Sequence, residues 1–89
     1  MYKLSYSNEA KEDLRKLPKY ISKRIGDKLI FYSHQKNIFN FAKPLYGVGE
    51  KRYRFRVGDY RILFTIEPDG IIVVLVILAI GHRKDIYFE

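Results

Sequence analysis

With 89 residues the chain has room for one modest core and no second domain, so residues 1 to 89 are read as a single domain. It has no cysteine and only two histidines, His34 and His82, so disulfides and thiolate metal sites are excluded and neither a metal nor a cofactor is expected. The formal net charge of +7 favours an acidic partner, meaning nucleic acid, an anionic membrane surface or an acidic protein.

Met1 to Ser5 leads straight into polar residues without an apolar stretch, which argues against a signal peptide, and the absence of cysteine fits a reducing cytoplasm. Tyr2 to Tyr6 alternates Tyr2, Leu4 and Tyr6 against Lys3 and Ser5, the period of a half-buried strand. Ser7 or Asn8 then caps a helix that carries Glu9, Glu12 and Asp13 early and Arg15 and Lys16 late, matching the helix dipole. Pro18 closes it and suits the first turn of a second helix, from Pro18 to Lys36, with Ile21, Ile25, Leu29 and Tyr32 on one face. Gly26 inside that helix is a place for a kink.

Asn37 to Gly49 reads as a loop, with Pro44, Gly47 and Gly49. Strands follow. Arg52 to Val57 and Tyr60 to Ile66 flank Gly58-Asp59, a two-residue hairpin loop with glycine first, and Glu67-Pro68-Asp69-Gly70 reads as a second turn. Ile71 to Ile80 is apolar without alternation; at ten residues it is half of the roughly 20 needed to span a bilayer as a helix and reads as a buried strand. The order is βααβββ, an α+β fold with a two-helix hairpin on one face of an antiparallel sheet.

A Gly58-Asp59 loop sets the register: Val57 faces Tyr60, Arg56 faces Arg61, Phe55 faces Ile62, Arg54 faces Leu63 and Tyr53 faces Phe64. One face then carries rings and aliphatics; the other carries Arg52, Arg54, Arg56, Arg61, Leu63 and Thr65. Slipping by one residue would bury the arginines. Like charges directly opposite on paired strands destabilise a sheet by about 0.2 to 1 kcal/mol, and Asp59, in the turn, and Glu50, at the far end, are not expected to relieve them. Guanidinium forks at this spacing suit phosphate oxygens. A solvated basic face is the plainer alternative. The stretch Gly81 to Tyr87 adds His82, Arg83 and Lys84, and the strand ending at Ile80 delivers Arg83 beside the arginine face.

The segments "YRFRVGDYRILF", "GHRKDIY" after an apolar strand, and "KPL" at Lys43 to Leu45 together resemble the RelE/ParE superfamily of bacterial toxin-antitoxin toxins, and its RelE-like branch in particular, over nearly the whole chain. The resemblance implies a microbial RNase-like fold and a cytoplasmic toxin that an antitoxin neutralises by wrapping it. It further implies metal-independent cleavage of mRNA in the ribosomal A site, the 2′-hydroxyl attacking the adjacent phosphorus to leave a 2′,3′-cyclic phosphate. Carried over by position, the catalytic set falls on Arg54, Arg56, Arg61, Arg83 and Tyr87. Lys51, Arg52 and Lys84, basic residues beside that set in the sequence, are expected to bind RNA. In these roles Arg61 and Arg56 hold the scissile phosphate, Arg83 stabilises the leaving 5′-oxygen, Tyr87 stacks on a base and Arg54 organises the nucleophile's side.

Two departures matter. The first-strand pair is arginine where the RelE pattern has lysine, and arginine stays protonated in proteins, which leaves the general base unassigned; His82 is the nearby side chain chemically suited to that task. The tail between Arg83 and Tyr87 is also shorter. Two rival readings remain: a ParE-like inhibitor of DNA gyrase without enzymatic activity, and a nucleic-acid-binding module without chemistry. A membrane-surface role is disfavoured, because the rings are needed for the core.

Overall fold

The computed structural model describes residues 2–47 and 49–85. Strand β1 spans Lys3–Tyr6, helix α1 Asn8–Lys16 and helix α2 Lys19–Ser33; a 3-10 turn at Ile38–Asn40 leads to β2 (Ala42–Leu45), β3 (Arg52–Val57), β4 (Tyr60–Asp69) and β5 (Ile72–His82). Among the described residues no helix is long and apolar enough to cross a membrane.

Ser7 caps α1, its hydroxyl accepting from the Ala10 N–H at 3.0 Å, with Glu9 in the first turn and Arg15 and Lys16 in the last. Helix α2 starts directly after Pro18 and ends three residues short of the expected Lys36. His34 Nδ1 and Gln35 Nε2 donate to the carbonyls of Ile30 (2.8 Å) and Phe31 (3.1 Å), satisfying last-turn acceptors with side chains and stopping the helix. It runs unbroken through Gly26, where an added Cβ would meet nothing within 4 Å. Gly26→Ala is therefore expected to stabilise the protein by about 1 kcal/mol, raising the melting temperature by roughly 4 to 8 °C in a thermal denaturation. A lower melting temperature would mean that the helix needs glycine at this position.

The sheet order is β1-β5-β4-β3-β2. It is mixed rather than wholly antiparallel, because β1 pairs parallel with β5, a strand remote in the chain that no hairpin constrains. The expected loop at residues 37 to 49 contains β2, paired antiparallel with β3 from Ala42↔Phe55 to Leu45↔Arg52. As β2 is an edge strand, Pro44 removes no ladder bond on its outer side. The second turn also comes later than expected. Glu67, Pro68 and Asp69 belong to β4, and the loop is Gly70-Ile71 with Gly70 at φ +64°. Pro68 is tolerated because the β3 pairing of β4 stops at Phe64.

The core lies between the helices and one sheet face: Ala10, Ile25 and Leu29 meet Ile62, Leu75 and Ile77. Phe55 stacks on Phe64 (centroids 4.2 Å apart, 13°), and Tyr32 stacks on Phe55 at 4.5 Å. The Tyr32 hydroxyl donates to the Arg56 carbonyl at 3.1 Å, on the stretch of β3 that outruns β2. On its other side β5 outruns β1, and α1 covers the exposed backbone. The Ser7 hydroxyl donates to the Leu78 carbonyl (3.0 Å), and Asp13 accepts from the Ile80 N–H (2.9 Å). A bulge in β5 at Leu78, between Phe64↔Ile77 and Leu63↔Ala79, lets Ile77 and Ile80 both face the core and turns Ala79 and Gly81 to the other side.

Candidate functional site

The β3–β4 hairpin turns on Gly58-Asp59. Gly58 has φ +59° and no residue other than glycine has a positive φ among the described residues, as a turn with glycine at its first central position requires. The five pairs from Val57↔Tyr60 to Tyr53↔Phe64 are those the loop position dictates. Arg56 therefore stands opposite Arg61, which stands opposite Gly81 on β5. One row away, Lys43, Arg54, Leu63 and Ala79 lie in register across four strands. The bulge thus sets small residues beside the arginines, and the far face of the sheet is a basic surface with a low floor of Ala79 and Gly81.

Arg61 is half-buried and its Nη1 donates to the carbonyls of Gly58 and Tyr60, both at 3.1 Å, which folds the side chain back over the turn. Arg83 follows β5 and is drawn to the same turn: its N–H donates to the Asp59 carbonyl at 2.8 Å and its Nε lies 3.7 Å from Asp59 Oδ1. Desolvation, then the charges of Arg56, Arg54 and Arg83 in that order, lower the pKa of Arg61, with Asp59 opposing. Four guanidiniums thus share one field, and Asp59, expected to stand apart from it, tempers that field.

His82 goes elsewhere. As the last residue of β5 it pairs with Tyr60, whose ring packs against the core, and it meets that ring edge-on at 5.3 Å and 82°. Its Nδ1 accepts from the Lys84 N–H at 3.1 Å. The imidazole therefore lies on the helix side of the sheet, beside Glu9, Asp13 and Lys16 in a pocket of about 550 Å³, and not among the arginines. An imidazole there is poorly placed to take a proton from a substrate on the opposite face, so its position disfavours the general-base role. What it does is order the turn that carries Arg83 and Lys84.

Lys51 and Arg52 are exposed where the chain enters β3, and Lys84 is exposed in the turn after β5. Tyr87 lies outside the described residues. Lys43 joins the arginine surface through β2; the "KPL" segment was its only sequence signal, because the surrounding composition reads as a loop.

A family model described as "ParE toxin of type II toxin-antitoxin system, parDE" matches residues 4–87. The chain belongs to this toxin family, within the RelE/ParE superfamily. The toxin resembles a chain of the RelBE2 toxin-antitoxin complex of Mycobacterium tuberculosis, with 27% identity over 92% of this chain and 98% of that one and a TM-score of 0.69. It also shares its fold with a chain of the archaeal RelE-RelB complex of Pyrococcus horikoshii (24% identity, 96% and 98% coverage, TM-score 0.70). The intact RelBE complex of E. coli gives the same fold (17% identity, 92% and 96% coverage, TM-score 0.69). No curated protein matches the toxin in sequence. The toxin is that of a type II toxin-antitoxin system with the fold of RelE toxins.

Proposed function

We propose that the toxin is an mRNA endonuclease that works in the ribosomal A site, uses no metal and is restrained by a cognate antitoxin. The observation that carries this reading is the placement of Arg56 directly opposite Arg61 with Arg54 and Arg83 close by, charges that add to desolvation in lowering the pKa of the Arg61 guanidinium. Such a cluster suits a group that gains negative charge during reaction, which a phosphorane does. A group of three His, Asp or Glu side chains able to hold a metal ion does not occur among the described residues.

In this reading Arg61 and Arg56 hold the non-bridging oxygens of the scissile phosphate. The 2′-oxygen bonds to phosphorus, the bond from phosphorus to the 5′-oxygen breaks, and a 2′,3′-cyclic phosphate and a 5′-hydroxyl result. Arg83 hydrogen-bonds the departing 5′-oxygen, which collects a proton from solvent. The arginines stay charged and cannot accept the 2′-hydroxyl proton, and the His82 ring lies across the sheet, so that proton passes to water or to a ribosomal group. Dependence on the ribosome follows, because a site without its own base gains most from an externally oriented nucleophile.

The test is a reconstituted translation reaction on a defined mRNA, with 5′ ends mapped by primer extension. Cuts within ribosome-occupied codons are expected. Arg83→Ala, an exposed position, is expected to lower cleavage by about 10²- to 10³-fold with an unchanged melting temperature; full cleavage by that variant would remove Arg83 from the site. The match to a ParE model favours a second reading, inhibition of DNA gyrase by binding. Intact mRNA together with loss of gyrase supercoiling activity would select it.

A further inference from the structure

A groove of about 630 Å³ runs between α2 and the end of β3, lined by exposed residues of α2 on one side and by Arg56, Val57 and Gly58 on the other. Strand β2 pairs with β3 only as far as Phe55, so on that edge no strand covers Arg56, Val57 and Gly58, and α2 stands beside them. Tyr20, Arg24, Lys28 and Phe31 form one stripe on α2 at spacings of four, four and three residues, a span of about 16 Å. Tyr20 is 75% exposed and Phe31 47% exposed, large rings left open on an otherwise cationic helix face. The Lys28 ammonium sits 5.2 Å from the centroid of the Phe31 ring. The carboxylate of the groove, Asp27, is engaged by Lys23 at 2.8 Å, so Arg24, Lys28 and Arg56 leave a clear positive excess.

This groove is continuous with the arginine site. The guanidinium of Arg24 rests on the hairpin turn, with Nη2 2.9 Å from where a Cβ on Gly58 would stand, and Arg56 belongs both to the groove and to the pair with Arg61. Cations along a trough with an exposed aromatic ring at each end are the chemistry that binds single-stranded nucleic acid, phosphates to the cations and bases to the rings. We propose that the α2 groove holds the RNA strand flanking the scissile phosphate, with Tyr20 and Phe31 as stacking platforms and Arg24 and Lys28 as phosphate contacts. The inference rests on the nuclease reading, since it needs RNA at Arg56 and Arg61. An acidic segment of a partner protein would meet the cations but would leave the exposed rings unexplained.

The test measures binding of the intact toxin to a trinucleotide and to a nonanucleotide RNA, each with a 2′-deoxy sugar at the cleaved position, by fluorescence anisotropy over a range of salt. The Arg24→Gln/Lys28→Gln variant is expected to weaken nonanucleotide binding, to reduce its logarithmic salt slope by about 1.4, at roughly 0.7 per phosphate contact on a single strand, and to leave the trinucleotide unaffected. Tyr20→Ala is expected to weaken the nonanucleotide by roughly 5- to 150-fold. Arg61→Gln should weaken both lengths. If the groove variants bind both RNAs normally while Arg61→Gln does not, the groove inference is overturned and the nuclease reading stands. Groove variants that keep RNA binding but lose the antitoxin would overturn it in favour of a protein interface. Failure of the unmodified toxin to bind either RNA would overturn both readings.

Discussion

Arg61→Glu is expected to raise the melting temperature of the free toxin and at the same time to abolish mRNA cleavage. Its opposite neighbour across the hairpin is Arg56, and burial together with three arginine charges makes the protonated guanidinium less stable in the fold than in the open chain. Because arginine stays protonated throughout the useful pH range, that penalty is present at every working pH and no titration will expose it; substitution will. Replacing the repulsion with an attractive cross-strand pair is worth about 0.2 to 1 kcal/mol, or roughly 1 to 8 °C in a domain of this size. The hydrogen bonds from Nη1 to the Gly58 and Tyr60 carbonyls are lost, but they lie at a turn where water can replace them. The carboxylate would also repel the scissile phosphate, so cleavage should fall by at least about 10²-fold. Circular dichroism melts and primer extension on the same preparation measure both effects. A fall in melting temperature would mean that the turn bonds outweigh the charge repulsion, and retained cleavage would take Arg61 out of the site.

That the protein tolerates this repulsion was legible from nine residues. Tyr53 to Arg61 alternates strictly around Gly58-Asp59, and period-two strands allow one register that keeps the rings inside and the arginines out. Where alternation is missing, legibility fails. Ile71 to Ile80 is apolar at every position, so nothing in it marks the bulge at Leu78, yet that bulge decides that Gly81 lies with the arginines and His82 across the sheet from them. Strand β2 was hidden for another reason. Four residues that include Pro44 have little strand preference of their own, and their conformation comes from the β3 edge they cover. The turn at Gly70-Ile71 is hidden because Pro68 has the composition of a turn former, and the sequence does not show that its edge of β4 is unpaired. The approach of Asp59 to Arg83 is likewise not legible in the turn itself, because it depends on β5 continuing two residues beyond Ile80.

Phe64→Ala should be the most damaging core substitution, costing about 3 to 5 kcal/mol of folding free energy. Phe64 is fully buried on β4, stacked on Phe55 and 5.6 Å from the Tyr53 ring, with Ile77 across the next strand. Small domains have only about 5 to 15 kcal/mol in total, so the variant should be marginal at physiological temperature. Phe64→Leu, which keeps most of the volume, should cost less than Phe64→Ala. The midpoint of urea denaturation measures both, and an unchanged slope would show that the denatured state is unaffected. A loss below about 1 kcal/mol for Phe64→Ala would mean that the ring stack is dispensable and that helix packing holds the sheet. The stack also bears on function, because Phe55 lies between Arg54 and Arg56 on β3, so the rings on one face fix the spacing of the guanidiniums on the other. Cleavage per folded molecule separates the two contributions. If Phe64→Ala, assayed well below its melting temperature, cleaves as fast as the unmodified toxin, the core only sustains the fold; if it cleaves more slowly while fully folded, the stack also sets the arginine geometry.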